Sequence, residues 1–96
     1  MTRRPELQES SEIVRVPHEP ELSRRVAANA VRMAENFQSD ILFNSGSIHI
    51  DGKSRLMAFI LLDALKGRPV EVFARGSDSE QAVRGLSALF EQEQAA

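Results

Sequence analysis

Hydrophobic residues in this chain switch repeatedly between two spacings, and the order of those switches constrains the fold more than any other feature. Val14 and Val16 alternate with Arg15, which predicts a short half-buried strand over Glu12–Pro17. Pro17 and Pro20 stop it, so the segment from Pro17 to Leu22 reads as a loop. Val26, Ala27, Ala30, Met33, Ala34 and Phe37 then recur at three- and four-residue steps, the stripe of an amphipathic helix that fades near Phe37–Gln38. Ser23 reads as its N-cap, since a serine hydroxyl can accept a hydrogen bond from an orphan N–H of the first turn.

Alternation returns at Ile41 and Phe43 and again at Ile48 and Ile50, with the turn cluster Asn44-Ser45-Gly46 between them. That pattern predicts an antiparallel hairpin, broken after its second strand by Gly52. Ser54 caps a second helix that is apolar on nearly every side from Leu56 to Leu65. Such a helix must be covered on most faces or must offer an apolar face to a partner. After the turn Lys66-Gly67-Arg68-Pro69, Val70, Val72 and Ala74 alternate with Glu71, Phe73 and Arg75 as a fourth strand. Ser77-Asp78-Ser79-Glu80 reads as a capping box. Ala82, Val83, Leu86, Leu89 and Phe90 form the buried stripe of a last helix, to about Glu91. The order β-α-β-β-α-β-α predicts an α+β sandwich, an antiparallel sheet with helices packed on one face.

Ninety-six residues allow one domain. We divide the chain into a mobile polar tail over 1–11, a folded domain over 12–92 and a C-terminal tail over 93–96, because residues 1–11 are polar and show no period. Twelve Lys and Arg stand against 14 Asp and Glu, a net charge of −2 that argues against a globally basic, nucleic-acid-binding surface. Cysteine is absent, which removes disulfides, thiolate metal sites and thiol nucleophiles together. The longest apolar run, Leu56 to Leu62, is far short of the ~18–20 residues a membrane-spanning helix needs, and no apolar segment follows Arg3 and Arg4. The expectation is a cytoplasmic protein without membrane insertion and without a cofactor. A chain this short buries only about two-thirds of its unfolded surface, so any chemistry belongs on the surface rather than in a deep cleft.

Few groups are available for that chemistry. His18 lies in a Pro-flanked loop between two acids, and His49 points away from the core on the hairpin. The ordinary reading of each is a surface residue, and neither has a partner at metal-ligand spacing. Ser23-Arg24-Arg25 is more suggestive: a helix start favours an anion, and two guanidiniums add charge-assisted donors. Lys53-Ser54-Arg55 repeats the pattern, and a phosphate on Ser54 would be favoured by the helix dipole. The plain alternative for both is a cap beside solvated cations. Neither serine has a base and an orienting acid at a diagnostic spacing, and the five glycines are scattered singly, so a hydrolase triad and a phosphate-cradling loop are both unsupported.

The element order and the two helix starts together resemble the HPr family, the small phosphocarrier proteins of the bacterial sugar phosphotransferase system. The resemblance covers Glu12 to Glu91. It implies an HPr-like open-faced β-sandwich, a four-stranded antiparallel sheet covered on one face by three helices. In that family the first helix opens with a G-L-H-A-R-P-A motif, whose histidine carries phosphate and whose arginine steadies it. Glu21-Leu22-Ser23-Arg24-Arg25-Val26-Ala27 matches at Leu22, Arg25 and Ala27, but Ser23 stands at the position of the phosphorylated histidine. The family's regulatory serine lies 31 residues after that histidine, and 54 − 23 = 31 places Ser54 there, preceded by Lys53 as in the family's K-S pair. Lys66-Gly67 and the stretch Gly76 to Glu80 also resemble the family's later turn and final cap. Arg55 and Leu56 depart from its usual apolar pair, and one extra residue precedes Lys66-Gly67.

The resemblance implies a protein that is not an enzyme. A phosphoserine ester gives up its phosphoryl group far less readily than phosphohistidine, so ordinary relay at position 23 should fail. Crh-like members of the family also lack the histidine and act through phosphoserine-dependent binding to a transcription regulator. By that likeness Ser54 is the candidate regulatory phosphorylation site. Lys53, Arg55, Leu56 and Phe59 form the expected docking surface, and Ser23, Arg24 and Arg25 form an anion-binding start on the same surface. Phosphotransferase-system proteins, a serine kinase or a transcription regulator are the expected partners, with no direct contact to nucleic acid. Two other readings stay open: a phosphocarrier that uses His18, and a scaffold whose apolar second helix docks a partner or forms a homodimer.

Overall fold

The computed structural model describes residues 8–94, arranged as β1 (Glu9–Arg15), α1 (Pro20–Ala34), β2 (Asp40–Ser45), β3 (Ile48–Asp51), α2 (Arg55–Ala64), β4 (Pro69–Arg75) and α3 (Ser79–Gln94). The four strands form one antiparallel sheet in the order β1-β4-β2-β3, with three helices over one face: the open-faced α+β sandwich expected from the sequence. Period-two residues do what their spacing requires. Val70, Val72 and Ala74 are buried against the helices, whereas Glu71, Phe73 and Arg75 face outward to differing degrees. Ile41, Phe43 and Ile50 join them from β2 and β3, and Phe43 meets Phe90 of α3 in a tilted ring contact with centroids 6.2 Å apart. Gly46 occupies the first position of the two-residue turn between Ser45 and Ile48 with φ of 59°, the left-handed conformation that this hairpin connection demands of it.

Several boundaries differ from the sequence reading. β1 begins at Glu9, not Glu12, so Glu9, Ser10 and Ser11 belong to the sheet, opposite Arg75, Ala74 and Phe73. They form an edge-strand segment without an apolar residue, which no hydrophobic period can reveal. Of the rest of the expected N-terminal tail, Gln8 accepts from Gly76 N at 2.8 Å through its carbonyl, and residues 1–7 lie outside the described residues. α3 extends to Gln94, past the expected end at Glu91, and residues 95–96 lie outside the described residues.

Two helix starts need correction. α1 begins at Pro20, whose fixed φ and missing N–H suit the first helical position, with Glu19 as the N-cap. Ser23 is therefore inside the first turn: its own N–H already donates to the Glu19 carbonyl at 2.9 Å, and its side chain is buried with Val26 and Ala27. At α3 the capping box is not formed. Ala82 N donates to the Asp78 carbonyl, which makes Asp78 the capping residue, and the Glu80 carboxylate runs along the helix to Arg84 at 2.8 Å. The Asp78 carboxylate instead accepts from Gln38 N, Ser39 N and Ser39 Oγ at 2.9, 2.9 and 2.5 Å, tying the approach to β2 onto the start of α3.

α2 buries Ala58 and Leu62 and leaves Leu56, Met57, Phe59 and Ile60 exposed. The helix is thus covered on the side of Ala58 and Leu62 and carries an exposed apolar face on the other. Among the described residues no helix is long and apolar enough to cross a membrane.

Candidate functional site

α1 and α2 lie antiparallel, and that arrangement decides which of the candidate residues meet. The start of α1 touches the end of α2. There Ser23 Oγ donates to Asp63 Oδ1 at 2.6 Å and lies 3.0 Å from the Pro20 carbonyl. A hydroxyl has one proton, and the shorter, charge-assisted bond to the carboxylate takes it. Ser23 has no exposed surface, so it presents no hydroxyl to a bound anion; the sequence reading of it as an anion-binding cap does not hold at this side chain. Arg24 and Arg25 are exposed, and Arg24 Nε donates to the Pro20 carbonyl at 3.2 Å.

The expected single patch around both serines is divided. Lys53, Ser54 and Arg55 stand at the far end of α1, whose 15 residues extend over about 22 Å. Lys53 Nζ donates to the Phe37 carbonyl at 2.7 Å, and its N–H to Asp51 Oδ1 at 3.0 Å. Ser54 is half-buried and its carbonyl accepts from Ala58 N, so it does occupy the N-cap position of α2. Arg55 grips Glu35, the C-cap of α1, through Nε–Oε1 and Nη2–Oε2 contacts of 2.7 and 3.0 Å. Those hydrogen bonds hold the Glu35 carboxyl below its ordinary pKa, and Arg55 is raised in return.

Between these helices runs a groove of about 450 Å³, lined by Ala28, Val31, Arg32, Glu35, Arg55, Leu56 and Phe59. Three of the four expected docking residues, Arg55, Leu56 and Phe59, thus share one depression with an apolar floor and a charged rim. Lys53 is not among the lining residues; its Nζ is held by the Phe37 carbonyl, beyond the end of α1.

The structure adds contacts of Arg15, Asp63, Lys66 and the Arg68 backbone that the sequence reading did not weigh. Val16 N donates to the Arg68 carbonyl and Gly67 N to the Val16 carbonyl, zipping the two loops together, while Arg15 Nη1 donates to the Gly67 carbonyl at 2.8 Å. The same loops bring the exposed His18 ring over Gly67. Lys66 Nζ lies 3.9 Å from Asp63 Oδ1. The signal was the pairing of β1 with β4, which sets Arg15 opposite Pro69, and only a chosen topology reveals it.

His49 is exposed on the open face of the sheet, with Nδ1 2.8 Å from Asn44 Oδ1, and Asn44 Nδ2 donates to Glu71 Oε1 at 2.9 Å. Among the described residues no three His, Cys, Asp or Glu side chains gather as metal ligands.

Residues 10–92 match the family described as "PTS HPr component phosphorylation site". The chain is similar to phosphocarrier protein NPr of Klebsiella oxytoca, 26% identical over 66 residues that cover 69% of this chain and 73% of that protein. Its structure is similar to the phosphocarrier protein HPr of Bacillus anthracis str. Ames, with a TM-score of 0.72 and 28% identity over 85% of this chain and 96% of that one. It is also similar to HPr-C-His of Thermoanaerobacter tengcongensis, with a TM-score of 0.72 and 26% identity over 94% and 98% of the two chains. A match over residues 10–92, together with a shared open-faced sandwich, makes this chain a member of the HPr family of the phosphotransferase system.

Proposed function

We propose that this HPr-family chain is a non-catalytic regulatory or binding member of the phosphoenolpyruvate-dependent sugar phosphotransferase system, acting in the bacterial cytoplasm. The observation that carries the reading is a buried serine at position 23, donating to Asp63, where the family resemblance calls for the imidazole a carrier needs. Ser54 is the phosphorylation site in this reading. Its N-cap position suits a phosphate, because the dipole of α2 favours negative charge there. Lys53, Arg55, Leu56 and Phe59 are the surface that a serine kinase, a transcription regulator or another phosphotransferase protein reads. Incubation with the system's first enzyme and labelled phosphoenolpyruvate should leave both histidines unlabelled, and mass spectrometry of the native protein should find phosphate on Ser54. Stable label on a histidine overturns the reading.

One geometric observation favours a second reading, phosphocarrier chemistry at His18. Its imidazole is exposed over Gly67, and the same glycine's carbonyl anchors the Arg15 guanidinium. The same labelling experiment decides it: label lost on replacing His18 by alanine assigns the carrier role to that residue. The uncovered face of α2 suits a scaffold or homodimer, and light scattering at several concentrations tests that version.

A further inference from the structure

Asp63 stands at the unfavourable end of its own helix. It lies in the last turn of α2, where the helix dipole opposes an anion, and no basic residue of that turn compensates it. What holds it is its surroundings. Ser23 Oγ, fully buried, donates to Oδ1 at 2.6 Å, and Lys66 approaches the same oxygen at 3.9 Å. The antiparallel crossing of α1 and α2 sets this carboxylate beside the start of α1, the end of a helix that favours negative charge. An acid disfavoured by its own element and retained by a neighbour is a local inconsistency of the kind that marks a functional position.

We infer that Asp63 is an internal anion that closes this corner to phosphate, so that carrier chemistry is shut off by two residues, Ser23 and Asp63, rather than by the missing histidine alone. The inference rests on the proposed function in one respect, that position 23 corresponds to the phosphoryl seat of the family's carriers. Two effects exclude an external phosphate. The only proton of the Ser23 hydroxyl is directed at Asp63, which leaves lone pairs toward any other anion. A phosphate at the same corner also meets a fixed like charge at close range. Replacing Asp63 by asparagine removes the repulsion while its amide oxygen still accepts from the Ser23 hydroxyl, so the substitution isolates the effect of the charge.

The experiment is a titration of the full ¹⁵N-labelled chain with inorganic phosphate at constant ionic strength, following the amides of Leu22, Ser23, Arg24 and Arg25. For the wild type, no saturable shift is expected. Asp63→Asn should show saturable shifts at those amides, with phosphate bound at least about tenfold more tightly than by the wild type. Asp63→Ser provides a second uncharged variant, and thermal unfolding establishes that each is folded. Saturable phosphate binding by the wild type at these amides overturns the inference without any variant. Folded variants that gain no affinity overturn it equally. Labelling of a histidine by the first enzyme would overturn the proposed function and leave this titration unchanged, so the two failures are distinguishable.

Discussion

Arg55 and Glu35 join the start of α2 to the end of α1 through two parallel contacts, Nε to Oε1 at 2.7 Å and Nη2 to Oε2 at 3.0 Å. The fork geometry makes this the best-aligned ion pair on the groove, and Arg55's hydrogen bonds set Glu35 below its ordinary pKa of 4.5. A carboxyl lowered in the folded state contributes its stabilisation above the unfolded pKa and loses it as pH falls through the folded value. The Glu35 carboxyl carbon, followed by NMR, should therefore titrate below 4.5 in the wild type and move back toward it in Arg55→Ala. An unchanged titration in that variant would show that the bridge does not persist in solution.

Asp78 gives a second acid-sensitive contact. Burial pushes its carboxyl up, but the hydroxyl of Ser39 and the N–H groups of Gln38 and Ser39 outweigh that and hold it below its ordinary value of 3.8. Three donors on one half-buried carboxylate make Asp78→Ala cost about 1–3 kcal/mol near neutral pH. By the same linkage, the wild-type advantage over Asp78→Asn should be complete above 3.8 and shrink as pH falls below it. Urea unfolding of both proteins across that range measures the difference.

Much of this architecture was readable in one dimension because burial follows spacing. Val70, Val72 and Ala74 announce a strand by alternation, and Val26, Ala27, Ala30 and Ala34 announce α1 by their stripe. The reading failed where a residue satisfied two local rules at once. Ser23 is chemically a good cap, but it also lies three residues before Val26 and four before Ala27, on the buried stripe, while Pro20 supplies the actual start. Contacts between distant segments were out of reach for a different reason. Ser23 meets Asp63 across 40 residues and Ser39 meets Asp78 across 39, and neither partner can be chosen before the helices are placed.

Gly67 lets the α2–β4 turn pass under His18. Its φ of 76° is left-handed, and a Cβ there would fall 2.7 Å from the ring Cε1 and 2.9 Å from Nε2. Gly67→Ala should destabilise the fold by about 1–3 kcal/mol through both backbone strain and displacement of the ring. Combining it with His18→Ala should recover the steric part and leave the backbone part, about 1–2 kcal/mol. Urea unfolding of the two singles and the double measures the coupling, and strict additivity would show that the ring does not rest on Gly67 in solution.

Leu56 separates docking from folding. It is 70% exposed at the mouth of the groove, whereas Ala58, two residues along the same helix, is fully buried. Leu56→Asp should leave stability within about 0.5 kcal/mol of the wild type, because a surface substitution there removes little buried contact. Ala58→Asp, which forces a charge into the core, should prevent stable folding. If the groove is the docking surface, Leu56→Asp should also weaken binding of the phosphotransferase system's first enzyme by about tenfold or more, measured by calorimetry. Unchanged affinity with unchanged stability would move the docking surface off α2, and the exposed run of Leu56, Met57, Phe59 and Ile60 would then need another occupant.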